Sequence, residues 1–130
     1  MAERISLEAT ASTPAVTFDP AEGVLDIQGE SYPENVVAFY RPVLDAVQAY
    51  VGEGAGPLVL RIALTYLNTS SIKVIMDLID LAEDVREAGR EARVEWYYEE
   101  DDDRSLELAE EFSEDISLPF DIIATAPKSA

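Results

Sequence analysis

Apolar positions along the chain recur with two periods, and each period predicts its own kind of element. Ala15-Val-Thr-Phe-Asp19 and Val24-Leu-Asp-Ile-Gln-Gly29 flank Pro20-Ala-Glu-Gly23, which predicts an antiparallel hairpin. Val36, Phe39, Tyr40, Val43, Leu44, Val47 and Val51 follow at helical spacing. Ser31, Pro33 and Glu34 predict the start of that helix, Gly52 or Gly54 its end, and Pro42 a kink or break inside it. Pro57 to Leu67 is apolar enough for a central strand. After Asn68-Thr-Ser-Ser71, a second helix is predicted from Ile72 to Ala88, stopped by Gly89. Ala92 to Tyr98 reads as a strand, Glu99 to Asp103 as an acidic turn, Leu106 to Phe112 as a third helix, and Pro119 to Ala124 as a last strand.

The order is therefore ββαβαβαβ, an α/β fold with helices covering a mixed sheet. Residues 1–12 read as a flexible leader, 13–126 as a single domain and 127–130 as a tail, with no internal repeat.

The second helix carries more apolar surface than one sheet face requires. Ile72, Val74, Ile75, Met76, Leu78, Ile79, Leu81, Ala82 and Val85 cover an arc of roughly 220° at 100° per residue, where a stripe a little over 100° suffices. Ile72, Ile75, Met76 and Ile79 suit the core, which leaves Val74, Leu78, Leu81 and Val85 over. Either a neighbouring helix covers this second stripe, or it is a docking surface for a partner.

Composition narrows the chemistry. The chain has 27 acidic residues against 9 basic ones, a formal net charge of −18, and neither cysteine nor histidine. Ser-His-Asp and Cys-His catalysis are thereby excluded, as are disulfides and thiolate zinc sites. The charge repels phosphate backbones and anionic lipid, so no nucleic acid partner and no membrane insertion are expected. Met1 to Ser6 lacks the apolar core of a signal peptide, and no apolar run approaches the ~20 residues of a bilayer span, which predicts a cytoplasmic protein. Glu99-Glu-Asp-Asp-Asp103 lacks the alternating spacing of a calcium loop and reads as a solvated turn. Between Glu95 and Asp115 eleven residues are acidic and one, Arg104, is basic, a flank suited to a basic partner. Nothing marks two carboxylates as the buried pair of a hydrolase.

Asn68-Thr69-Ser70-Ser71 lies where a central strand gives way to a helix. Its hydroxyls can cap the unpaired first N–H groups of that helix. The same place suits a phosphate, which would meet the positive end of the helix dipole. The matching N-glycosylation pattern has no meaning in a cytoplasmic chain.

Gly29-Glu-Ser-Tyr-Pro-Glu-Asn35, Tyr66-Leu-Asn-Thr-Ser-Ser-Ile72, Met76-Asp77 with Leu81, Trp96 with Tyr98, and Leu108-Ala-Glu-Glu-Phe112 followed by Pro119-Phe120 resemble the SiaC-type biofilm-regulation phosphoproteins of bacteria, which are STAS-like. The resemblance runs in order from about Ser12 to Ile123. It implies a STAS-like fold with no catalysis of its own and no cofactor. It also implies phosphorylation of Thr69 by a cognate Ser/Thr kinase, reversed by a PP2C-type phosphatase, with Asn68, Ser70 and Ser71 as the phosphosite neighbourhood. The unphosphorylated form is expected to bind and activate a diguanylate cyclase, raising cyclic di-GMP and favouring aggregation or biofilm. The expected docking residues are Tyr66, Leu67, Ile72, Lys73, Val74, Asp77, Leu78 and Leu81. The alternative is an anti-sigma factor antagonist of the STAS type, acting on transcription.

Overall fold

A strand that leads through a helix to a parallel neighbour does so with a right-handed crossover, and three such crossovers run in succession here. The computed structural model describes residues 4–53, 56–114 and 116–126. The elements are β1 (Ile5–Leu7), β2 (Ala15–Asp19), β3 (Val24–Ser31), α1 (Val36–Glu53), β4 (Leu58–Leu67), α2 (Thr69–Glu87), β5 (Ala92–Glu99), α3 (Asp103–Ser113) and β6 (Phe120–Thr125). The six strands form one sheet in sequence order, antiparallel from β1 to β3 and parallel from β3 to β6. Because every parallel step goes the same way, right-handed crossovers place α1, α2 and α3 on one face.

Burial alternates accordingly. Val16, Phe18, Leu25, Ile27, Leu58, Leu60, Ile62, Val94 and Trp96 are sealed beneath the helices. Thr17, Asp26, Gln28, Arg61 and Glu95 occupy the other face, which no helix of the described residues covers. Gly23 turns β2 into β3 at a φ of 71°, and a Cβ there would lie 2.0 Å from the Pro57 carbonyl oxygen. Only glycine fits so close a backbone approach.

Four expectations change. The segment read as a flexible leader contains β1, which pairs with β2, and the Tyr32 hydroxyl and N–H donate to the Ala11 and Ser12 carbonyls. The domain order therefore gains an edge strand. Ser31 does not start α1 but ends β3; the cap is Asn35, whose side chain accepts from the Ala38 N–H at 3.0 Å. Of the kink or break expected at Pro42, the break is absent, and α1 runs through that position. Pro42 and Ala38, whose carbonyl loses its partner, are both exposed, so water can satisfy the freed group. The helix ends at Glu53; Gly54, the other stop considered, lies outside the described residues, as does the 127–130 tail.

The fourth concerns α2. Of the leftover stripe, Val74, Leu78 and Val85 are buried and Leu81 is half-buried, whereas Met76, assigned to the core, is 53% exposed. The helix is wedged between the sheet and α1, so of the two readings of the second stripe, cover by a neighbouring helix is the one the structure bears out.

Candidate functional site

Each helix begins at the edge where a parallel strand ends, and each is capped by a short polar side chain: Asn35 on α1, Asn68 on α2 and Asp102 on α3. Asn68 holds an extended backbone and accepts the Ser71 N–H at 2.9 Å, while its carbonyl accepts the Ile72 N–H at 3.0 Å. The cap is thus Asn68, and the three hydroxyl residues form the first turn of α2. Among the described residues the Thr69 and Ser70 N–H groups have no partner, as expected at a helix start.

The three hydroxyls part company. Ser71 is fully buried and its Oγ accepts from Ser31 Oγ at 2.8 Å, which in turn bonds the Tyr40 hydroxyl at 2.6 Å. This chain of buried hydroxyls ties β3, α1 and α2 together beneath the turn. Burial pushes the Tyr40 phenol above its ordinary value, against the opposing effect of the Ser31 bond, so it stays a neutral donor. Thr69 and Ser70, by contrast, are exposed, and their hydroxyls make no hydrogen bond among the described residues. Thr69 is a free alcohol at the positive end of a 19-residue helix.

Around it lies an aromatic patch. Tyr66, 37% exposed, meets Tyr32, 39% exposed, edge to face at a centroid distance of 5.5 Å. The Arg104 guanidinium covers the Tyr66 ring at 5.6 Å. Tyr66 points outward because β4 carries one residue too many. Gly29 pairs with Leu64 but Glu30 pairs with Tyr66, so Thr65 bulges and the alternation reverses.

Of the expected docking residues, Tyr66 and Lys73 are exposed, and Ile72, Asp77 and Leu81 are half-buried. Lys73 reaches Asp77 at 3.5 Å. Leu67, Val74 and Leu78 are sealed in the core and leave the docking set. Tyr32, Met76 and Arg104, which were not among the expected docking residues, are exposed as well. Pairing of the adjacent strands β3 and β4 puts Tyr32 beside Tyr66, a neighbour that the βαβ order alone implies.

The uncovered sheet face holds a separate ion cluster. Glu95 accepts from Arg93 Nε at 2.8 Å, Arg61 Nε at 3.1 Å and the Tyr97 hydroxyl at 2.8 Å. Burial works to raise this carboxyl, but the donors from Arg93, Tyr97 and Arg61 together hold it below the usual carboxylate value. The bond to Glu95 raises the Tyr97 phenol, while burial raises the Asp26 carboxyl against the pull of Arg61. Asp26, Arg61 and Tyr97 border a cavity of about 500 Å³ that reaches Asp102 and Ser105. Among the described residues, no group of three or more carboxylates is arranged to hold a metal ion, and no helix is long and apolar enough to cross a membrane.

Comparison with known proteins agrees with this architecture. The chain is 45% identical over 120 residues to an uncharacterized protein of Pseudomonas aeruginosa strain UCBPP-PA14, covering 92% of this chain and 95% of that protein. The solved structure of SiaC of Pseudomonas aeruginosa superposes with a TM-score of 0.87 at 44% identity, covering 95% of this chain and 99% of that one. A structure of the diguanylate cyclase SiaD in complex with its activator SiaC, from the same organism, matches with a TM-score of 0.89 at 45% identity, covering 93% and 99%. The model of the SiaC family regulatory phosphoproteins matches residues 7–125, and this chain belongs to that family.

Proposed function

We propose that this protein activates a diguanylate cyclase by binding it, and that a phosphate on Thr69 ends the association. The observation that carries the reading is the Thr69 hydroxyl, exposed and without a partner among the described residues at the first position of α2, beside the Tyr32–Tyr66 patch. The protein does no chemistry of its own and works in the cytoplasm, with a kinase and a PP2C-type phosphatase setting the state of Thr69. Its relative SiaC, at 44% identity, supports the cyclase as partner, since SiaC is the activator of SiaD.

The energetics suit a switch. A dianion at the α2 N-terminus gains ~0.3–1 kcal/mol from the dipole, so the fold tolerates it. The same charge pressed into an interface must be desolvated, and each 1.4 kcal/mol lost there weakens binding about tenfold. The modified chain stays folded and lets go.

A purified cyclase tests this. Wild type and Thr69→Ala should raise its output of cyclic di-GMP, whereas Thr69→Asp and the stoichiometrically phosphorylated protein should raise it about tenfold less. A cyclase indifferent to the wild type, or equally activated by the phosphorylated protein, would overturn the reading.

A further inference from the structure

Between α2 and α3 runs a groove of about 290 Å³. Its apolar surface comes from Ile72, Met76, Leu108, Phe112 and Ile116, with Ile79 at the bottom. Phe112 is braced from behind by Trp96, at a centroid distance of 5.5 Å. Its borders carry Asp80, Glu83 and Glu111, and no lysine or arginine. Asp80 and Glu111 have no ion-pair partner among the described residues, and Glu83 only accepts from Ser117. We infer that this groove receives an amphipathic helix of a partner protein, whose apolar stripe is bordered by lysine or arginine.

Shape and charge select that occupant. Two helical walls leave a channel that a third helix fills with side chains at i, i+3, i+4 and i+7. Met76, 53% exposed, is the flexible, polarisable side chain that adapts to such a stripe. The volume lies at the lower end of small-molecule pockets, and the site is an open channel, which favours side chains over a discrete ligand. A second copy is a poor fit: the chain carries a net charge of −18, and α2 and α3 both present acids at their borders. An anionic lipid surface is repelled in the same way. Ile72 places one end of the groove a single turn from Thr69, so the groove goes beyond the switch proposed above while adjoining it.

Two synthetic helices with one leucine face, bordered by lysine in one and by glutamate in the other, test the inference by fluorescence anisotropy against the full chain. The lysine peptide should bind and the glutamate peptide should not. Met76→Glu should weaken the lysine peptide about tenfold, and Met76→Ala severalfold, with thermal stability retained in the second. Because Met76→Glu adds negative charge, general attraction to an acidic protein would strengthen binding, so the sign of the change separates the two. Equal binding of both peptides, binding of neither, or a Kd unmoved by either substitution overturns the groove. So does a concentration-dependent dimer that Met76→Glu abolishes, which would assign the surface to a second copy. No cyclase and no phosphate enter this measurement, so its failure leaves the Thr69 switch standing, and the reverse.

Discussion

Ser71 and Ser105 show how much a buried hydroxyl decides in a chain with so few buried polar groups. Ser105 Oγ accepts the Trp96 indole N–H at 3.0 Å and donates to the Leu64 carbonyl at 3.1 Å, joining β5 and β4 to the first turn of α3. Ser105→Ala removes both bonds and leaves a buried donor and a buried acceptor unsatisfied, at about 1–3 kcal/mol each before relaxation. We expect a loss of roughly 2 kcal/mol by denaturant titration. Ser70→Ala, at an exposed hydroxyl without a partner, should stay within about 0.5 kcal/mol of wild type. Neighbouring serines in one turn are thus unequal, and Thr69 stands with Ser70. The sequence could not separate them. A run of three hydroxyls offers three equivalent caps, and Asn68 taking the cap moved each of them one turn deeper than expected into α2.

The elements were legible where one period dominated. The hairpin of β2 and β3, the long β4, and β5 followed by α3 fall close to their predicted places. β1 was illegible because three residues carry no period, and its strand character comes from pairing with β2. The inward face of α2 was misjudged because its apolar arc allows more than one orientation, and packing against α1 chose the one that exposes Met76. At the sheet's uncovered face, Glu95 links β5 to β4 through Arg61 and pairs with Arg93 two residues back on its own strand. Its carboxyl is held below its ordinary value, so its stabilising contribution is full above the unfolded value of 4.5 and is lost as pH falls through the depressed folded value. Arg61 and Arg93 remain 44% and 42% exposed, which limits the contribution to on the order of 1 kcal/mol. The gap in melting temperature between wild type and Glu95→Gln should therefore be open at pH 7 and narrow as the pH is lowered below 4.5.

For the molecule as a whole, charge is the dominant liability. With 27 acids and 9 bases, the compact state repels itself, so raising salt from 0.01 M, where the screening length is ~30 Å, to 0.15 M, where it is ~8 Å, should raise the melting temperature. A melting temperature that falls over that range would show the ion pairs to outweigh the repulsion. The candidate site depends on how the sheet's two sides are apportioned, and here the surplus residue of β4 has the final word. Counted in twos from Leu58, the ring of Tyr66 would turn inward and Leu67 outward. Thr65 breaks that count just before the corner. Spacing, more than residue identity, therefore chooses the side from which a visitor meets the phosphorylatable alcohol. An engineer can trim the strand by that one position and keep the aromatic ring outward in plain alternation, whereas ironing out the bulge with the residue retained would hide the ring and bring a leucine to water.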